Sequence, residues 1–373
     1  MSKEILHQIL ELGVKHGASD VHLKTEEAPA YRMNGVVIPA NSQPISHELM
    51  IQLCTVLLGE SGSRIAIEDI MDFDGSYEIK GMARFRVNIY RQKGTLACVM
   101  RIIKSNIPPL DKIGLPAAVK TIVGLERGLV LVTGATGSGK TTTLAAMINQ
   151  INQTKRVHIL TIEDPVEVIY PKGLATVSQR EIGFDSKSFA AALKSALRQD
   201  PDVILIGEMR DQETIDIALK AAETGHLVFA TVHTTDAMRT IGRLLSVFPP
   251  EAQPQIRLRM ADALKGTISQ RLLSSVDGKG RVLAAEVMLV TGMIADCIRD
   301  ASKTPQIKNF IEEGAGTYGM QTFDQHLSYL LAHGKITREV ALDAATSRSD
   351  FLRNLGMQGV SDGDHKLELH RYE

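Results

Sequence analysis

The sequence predicts an α/β protein of two domains: a small N-terminal one on an antiparallel sheet, and a larger one in which strands alternate with crossover helices. Three observations predict this. The apolar run Gly128–Thr133 is followed by Gly134-Ala135-Thr136-Gly137-Ser138-Gly139-Lys140-Thr141, then by Leu144, Met147, Ile148 and Ile151 at helical spacing, which reads strand, glycine loop, helix. Downstream of it the strand–helix alternation continues through three more strands, as parallel sheets require. Upstream, Ser105-Asn106-Ile107-Pro108-Pro109-Leu110 reads as a semi-rigid extended linker, because two prolines disfavour helix.

In the N-terminal part, Ile5, Leu6, Ile9, Leu10 and Leu12 place a helix over 3–16, and Ala18–Leu23 alternates as a strand does. His22 in that strand has no neighbouring His or Cys at metal-ligand spacing and reads as a structural or surface histidine. Asn34-Gly35 predicts a hairpin turn between 30–33 and 36–38. Helices are expected over 46–58 and 61–69, then strands Asp72–Lys80, Ala83–Tyr90 and Thr95–Ile103 with turns at Lys80-Gly81 and Lys93-Gly94. Arg84, Arg86, Arg91 and Arg101 cluster here, and Arg84 and Arg86 share a strand face. They read either as a solvated strand face or as an anion contact in the manner of an arginine finger.

In the larger domain, helix 139–152, strand Val157–Ile162, helix 186–199, strand Val203–Ile206, helix 211–223, strand Leu227–Thr231 and helix 236–246 follow in order. Pro249-Pro250 precedes a helix through Ile256, Met260 and Leu264. A strand Val282–Leu289 follows a turn at Lys279-Gly280, and helices are expected at 303–313, 322–332, 337–345 and 348–355. The residues after Gly356 are polar and glycine-rich, and a disordered tail is expected there. The expected boundaries are 1–104, a linker at 105–114, 115–356 with its helical C-terminal part, and a tail at 357–373.

The glycine loop carries a phosphate-binding chemistry. Gly134, Gly137 and Gly139 allow a tight turn with inward N–H groups, and Ala135, Thr136, Ser138 and Thr142 complete the loop and the first helical turn. The helix N-terminus favours negative charge, Lys140 neutralises phosphate, and Thr141 can ligate Mg²⁺. Ligands of such sheets bind at the carboxyl ends of strands. There the sequence places Glu163 in Glu163-Asp164-Pro165-Val166-Glu167, Glu208 in Gly207-Glu208-Met209-Arg210-Asp211, and His233. One acid can orient or deprotonate a water, another can hold Mg²⁺ through its water shell, and a histidine can contact the γ-phosphate. Asp211 can equally be a helix N-cap.

Composition sets bounds. The chain has 373 residues, 44% hydrophobic, with a net charge of −1, so no bulk positive field recruits nucleic acid or anionic lipid. Trp is absent and aromatics make up 4%, which leaves little for base stacking. The three cysteines, Cys54, Cys98 and Cys297, are far apart and odd in number, which fits a reducing cytoplasm and neither a disulfide framework nor a four-cysteine zinc site. No apolar run approaches the roughly 20 residues of a membrane span, and the start Met1-Ser2-Lys3-Glu4 lacks a signal-peptide core. Any membrane role would run through a partner.

Four ordered stretches resemble a known family. The glycine loop, Thr161–Glu167, Ile204–Asp211 and Gly225–Thr234 are similar to the Walker A, Asp box, Walker B and His box of type II/IV secretion ATPases. Ala18–Leu23, Ala83–Asn88 and Gly319–Asp324 resemble the twitching-motility branch of that superfamily, the PilT and PilU type. The resemblance runs from about Ile5 to Ala345. It implies a PAS-like N-terminal domain, a RecA-like P-loop NTPase domain with a helical C-terminal extension, and a homohexameric ring that hydrolyses ATP with Mg²⁺ to power type IV pilus retraction. Glu163 would be the catalytic glutamate and Glu208 the Walker B acid. His226 and His233 would form the His-box pair, and Arg84, Arg86 or Arg101 would reach nucleotide across an interface. An inner-membrane pilus platform protein is the implied partner, with a paralogous retraction ATPase as a second, at the cytoplasmic face of that membrane. The implied retraction type follows from the chain starting at the PAS-like domain and from the lack of a C-x-x-C motif. Met293-Ile294-Ala295-Asp296-Cys297-Ile298-Arg299-Asp300 matches the branch motif Ala-Ile-Arg-Asn-Leu-Ile-Arg-Glu with Ala295 in place of its first arginine, which keeps a PilU-like accessory motor open. Read from spacing alone, Ile294 and Ile298 are packing residues.

Two other classes compete. A nucleic-acid translocase on the same core would show DNA-stimulated hydrolysis, and charge and aromatic content weigh against it. A non-hydrolysing nucleotide-gated adaptor is disfavoured by the presence of Lys140, Thr141, Glu163 and Glu208 together.

Overall fold

A computed structural model describes residues 2–33, 35–60, 66–103 and 107–357, and the chain divides into two compact units, Met1–Asn106 with Glu167–Ile169, and Ile107–Val166 with Tyr170–Glu373. The predicted turn residue Asn34, part of the predicted 61–69 helix, the first two linker residues and the tail beyond Met357 lie outside the described residues.

The first unit comprises α1 (Ser2–Lys15), β1 (Asp20–Lys24), β2 (Ala30–Met33), β3 (Val36–Pro39), α2 (His47–Glu60), β4 (Asp72–Ile79), β5 (Ala83–Gln92) and β6 (Thr95–Ile103). Ile67–Asp69 is a single 3-10 turn, so the expected helix over 61–69 is not formed in its described part. Acidic Glu68 and Asp69 there leave no apolar stripe that could hold a longer helix against the sheet. The strands form one antiparallel sheet in the order β3-β2-β1-β6-β5-β4. Alternation decides its faces. Val21, Leu23, Phe85, Val87, Ile89, Cys98 and Met100 meet Leu6 and Leu10 of α1 and Met50, Leu53 and Leu57 of α2 in one core. On the other register, Arg32, Asp20, Arg101 and Arg86 stand side by side across β2, β1, β6 and β5.

The second unit begins with α3 (Ala118–Gly124), β7 (Gly128–Thr133), α4 (Lys140–Thr154), β8 (His158–Glu163), β9 (Thr176–Glu181), α5 (Phe189–Ala196), β10 (Val203–Ile206), α6 (Gln212–Glu223) and β11 (Leu227–Val232). It continues with α7 (Ala237–Ser246), α8 (Gln253–Ala263), β12 (Leu264–Ser274), β13 (Arg281–Leu289), α9 (Gly292–Arg299), α10 (Ile307–Glu313), α11 (Ala315–Tyr318), α12 (Phe323–Ala332), α13 (Arg338–Ala344) and α14 (Arg348–Met357). Seven strands form a mixed sheet in the order β13-β12-β7-β11-β10-β8-β9, parallel except for the β12–β13 hairpin. The central strands are buried on both faces, as crossover helices demand. Leu129, Leu131, Leu160, Ile162, Ile204, Ile206 and Val228 pack on α5 to α8, whereas Val130, Val132, Ile159, Leu205 and Phe229 pack on α3 and α4.

Four elements escape the sequence reading: α3, β9, β12 and the single turn α11. The helix expected through Leu264 stops at Ala263, and Leu264 opens β12, whose β-branched Thr267 and Ile268 suit a strand beside β7. The helix expected over 186–199 is shorter, because Ser188 caps it by accepting a bond from the Ala191 N–H.

α12, α13 and α14 bury Phe323, Leu327, Leu330, Ile336 and Phe351 against Ala284 in a separate small core. His326 is buried beside it, and its Nδ1 accepts the Ala285 N–H at 2.9 Å, so the neutral ring carries its proton on Nε2. Burial pushes its pKa down to about 4. The unfolded chain therefore binds a proton between about pH 6.5 and pH 4 that the folded chain does not, and stability falls as pH drops through that window. The loss is on the order of 3 kcal/mol. Buried Glu286, raised to about 7 chiefly by burial, works with the opposite sign: its penalty grows as pH rises from 4.5 to 7. The difference between wild type and His326→Gln isolates the histidine. Unfolding free energies at pH 7 and pH 4.5 are expected to fall less in the variant, whose carbonyl accepts the same N–H without titrating; equal losses would refute this.

Candidate nucleotide site

The site is built where β7, β8, β10 and β11 end. Gly134 leaves β7 at φ +146°, and a Cβ there would stand 2.4 Å from Ser138 Oγ and 2.6 Å from the Gln270 carbonyl. Only glycine fits so close an approach. Gly137 and Gly139 also take positive φ, and Gly139 leads into α4. Ala135, Thr136 and Gly137 are exposed at the crest, and Thr141 and Thr142 are exposed on the first turn of α4. Lys140 is 8% exposed and donates to the carbonyls of Gly134 and Ala135 at 2.9 and 3.0 Å. The loop thus presents a helix N-terminus and a cation at one point.

Parallel register brings the two acids to the same sheet end: Ile162 of β8 pairs with Ile206 of β10, so Glu163 and Glu208 follow paired positions. Glu163 shares the α4 face of β8 with Thr161 and Ile159, two residues apart each. It is 7% exposed, and its Oε1 accepts from Thr161 Oγ1 at 2.7 Å and Gln179 Nε2 at 3.2 Å. The strand ends are stitched: Gly207 N–H donates to the Ile162 carbonyl, Thr231 Oγ1 to the Gly207 carbonyl at 2.5 Å, and Met209 N–H to the Thr231 carbonyl.

Glu208 accepts from Arg210 Nε at 2.5 Å and lies 3.3 Å from His233 Nε2. Partial burial would raise its pKa. The Arg210 hydrogen bond and the nearby His233 outweigh that and hold it below the usual carboxylate range. Asp211 is the N-cap of α6, accepting from Thr214 N–H at 2.9 Å and Thr214 Oγ1 at 2.8 Å.

The glycine loop, Glu163, Glu208 and His233 thus stand at one end of the sheet. His226 does not join them. It precedes β11, its carbonyl accepts the Gly128 N–H, and its Nδ1 lies 2.9 Å from the Ala221 carbonyl. That is the opposite end of β7 from the loop, about 20 Å away at a strand's rise per residue. The His-box pair implied by resemblance is therefore split within the chain. Arg84, Arg86 and Arg101 belong to the first unit. Arg84 donates to Ser76 Oγ at 2.9 Å, Arg101 bonds Asp20 at 2.9 Å, and exposed Arg86 faces Arg101 across the β5–β6 pair.

Sequence reasoning missed Thr161, Gln179 and Arg210 as partners of the two acids. Thr161 was detectable from its i, i+2 spacing to Glu163; Gln179 was not, because β9 was not recognised. In α9, Ile294, Ala295 and Ile298 are buried and Arg299 bonds Asp262 and Asp296, so the packing reading of Ile294 and Ile298 holds.

The donor set fits a triphosphate: a glycine cradle with no room for a Cβ, an amine at a helix N-terminus, and a buried Ser138 hydroxyl without a hydrogen-bond partner. Among the described residues no three His, Cys, Asp or Glu side chains form a metal site. A Mg²⁺ carried by nucleotide needs only one or two protein oxygens.

A glycine loop between strand and helix, with acids at the ends of parallel neighbours, defines a P-loop nucleoside triphosphatase with a RecA-like mixed sheet. The chain belongs to the type II/IV secretion system protein family, whose model matches residues 1–369, and within it to the ATP-hydrolysing retraction motors of type IV pili. It is similar to the type IV pilus retraction ATPase PilT of Pseudomonas aeruginosa, 44% identical over 344 residues that cover 92% of this chain and 99% of that one. It is also similar to the type IV pilus ATPase PilU of the same organism, 39% identical over 365 residues, 97% and 94% of the two chains. The crystal structure of the pilus retraction motor PilT with bound ADP superposes with a TM-score of 0.82 at 40% identity, covering 93% of this chain and 98% of that one.

Proposed function

We propose that this chain is a homohexameric motor that hydrolyses ATP with Mg²⁺ to retract type IV pili. The observation that carries the reading is that buried Glu163 and partly buried Glu208 follow paired strand positions at the sheet end where β7 leads into the Lys140 loop, in a chain matching PilT over nearly its full length. Gly134 to Thr142 bind the phosphates, and Lys140 turns from its loop carbonyls toward them. Glu163, oriented by Thr161 and Gln179, accepts the proton of the attacking water. Glu208, kept ionised by Arg210 and His233, and Thr141 would hold the metal, Glu208 through water. Mg²⁺, when bound with ATP, would supply neutralisation of phosphate charge.

His233 contacts the γ-phosphate end. Because His226 sits at the far end of the strand, its role is in packing or at a subunit boundary. The first unit is PAS-like in this reading, and the 105–114 linker is its hinge. Arg86 or Arg101 supplies a cation to nucleotide in a ring; like charges directly opposite each other on a sheet repel, and one carboxylate, Asp20, leaves that row short of full compensation. The motor works at the cytoplasmic face of the inner membrane through a platform protein. Among the described residues no helix is long and apolar enough to cross a membrane. Similarity to PilU, and Ala295 where the branch motif has arginine, favour an accessory motor working with a paralogous one as the second reading.

The test is pilus retraction in the source bacterium after deletion of this gene, complemented by wild type or by Lys140→Ala. Loss of retraction restored only by wild type supports the main-motor reading. Weakened retraction that persists supports the accessory one. Unchanged retraction force would refute both.

A further inference from the structure

β12, which the sequence reading overlooked, grips the glycine loop and the end of β7 that leads into it at three points. Ser269 accepts the Thr133 hydroxyl at 3.0 Å, both side chains being fully buried. The Gln270 carbonyl faces Gly134 so closely that a Cβ there would lie 2.6 Å away, and Leu272 comes within 3.7 Å of the Cβ position of Gly139. Between them, the Gln270 side chain shares the α4 face of the sheet with Ile268 and donates from Nε2 to Thr143 Oγ1 at 2.7 Å. Thr143 is 1% exposed, and its N–H donates to the Gly139 carbonyl in the first turn of α4.

Gln270 is an expensive residue to place there. It is 1% exposed, and its Oε1 is buried without a hydrogen-bond partner. An apolar side chain of the same length would fill the space without leaving an amide oxygen unpaired. What the amide adds is a fixed direction for Thr143, and so for the helix end that carries Lys140 and Thr141.

We infer that Gln270 is a positioning residue for the nucleotide site, holding the first turn of α4 in register with the glycine loop through Thr143. It does not touch nucleotide itself. This rests on the reading of the loop as an ATP site. It adds a requirement from outside the four recognisable motifs: phosphate affinity depends on a strand 127 residues downstream of the helix it braces. The same strand carries Arg271, whose guanidinium lies over the Phe323 ring at 3.8 Å and bonds the Ala344 carbonyl, so the bracing strand is itself anchored in the α12–α14 layer.

The experiment measures MgADP affinity by calorimetry and steady-state KM and kcat for ATP, well below the melting temperature, for wild type, Gln270→Met, Thr143→Val, the double variant and Thr143→Ser. Each of the first two substitutions is expected to weaken MgADP binding and raise KM about tenfold, with kcat changed less than KM. The double variant is expected to be no worse than the poorer single, because both remove one interaction. Thr143→Ser retains the hydroxyl and is expected to keep wild-type affinity. Affinity within twofold of wild type in both single variants would overturn the inference, as would effects that simply add in the double. If Gln270→Met does not fold, the contrast of Thr143→Val with Thr143→Ser decides, since a role in stability alone predicts equal affinity in their folded fractions. A wild type that binds no MgADP would instead refute the nucleotide site.

Discussion

Glu163→Gln is expected to lower ATP turnover by at least about 100-fold while leaving nucleotide affinity within about threefold of wild type. The substitution keeps length and volume. Thr161 Oγ1 donates to the carboxylate at 2.7 Å and Gln179 Nε2 at 3.2 Å, and the amide oxygen of the variant can accept both bonds. What is lost is the proton acceptor. A carboxylate 7% exposed at the end of β8, whose Oε1 accepts from two donors, has its orientation fixed before any water arrives. Burial, and secondarily Glu163, push the phenol pKa of Tyr170 well up, which keeps a neutral ring near the acid. Phosphate release and titration with a fluorescent nucleotide measure the two quantities separately. Turnover within tenfold of wild type would remove Glu163 from the chemistry.

Lys140→Ala is expected to act on the other quantity. A charged donor facing phosphate at a helix N-terminus contributes on the order of 1.5–3 kcal/mol, so affinity for MgATP should fall roughly 10- to 150-fold. The ammonium already spans the loop, bonded to the Gly134 and Ala135 carbonyls. Its removal therefore also frees a loop whose backbone conformation only glycine supports at Gly134, and a small loss of thermal stability should accompany the loss of binding. Equilibrium binding and a melting curve test this. Unchanged affinity would mean that the loop does not hold phosphate through this lysine.

Much of the site was legible because local pattern and chemistry agree there. Gly134, Gly137 and Gly139 mark a turn, the flanking apolar runs have strand and helix periods, and acids follow two strands that parallel pairing must bring together. The RecA-like sheet was legible in its central strands, each a short apolar run. Its edges were not. Thr176–Glu181 has one aliphatic residue, Val177, and so carries no alternation to detect. β12 was hidden by helical spacing that continues without a break from Ile256 and Met260 into Leu264, where no glycine or proline marks the change. Gly266, two residues later, is inside the strand beside Ile122 and the Met288 carbonyl.

The separation of His226 from His233 has a different origin. Six residues separate it from His233, and they are the whole of β11, so the two histidines must occupy opposite ends of that strand. Resemblance grouped them by motif where strand geometry separates them. Asp211 shows the converse: the plain capping reading was available from its place before a helix, and the Thr214 bonds fulfil it.

The central claim is that this chain is an ATP-hydrolysing ring motor, and steady-state ATP hydrolysis across protein concentration tests it most directly, with light scattering reporting assembly. The account predicts turnover per subunit that rises as the ring forms and is at least about 100-fold lower in Glu163→Gln at every concentration. A monomer that hydrolyses ATP as fast as the assembled protein would contradict it.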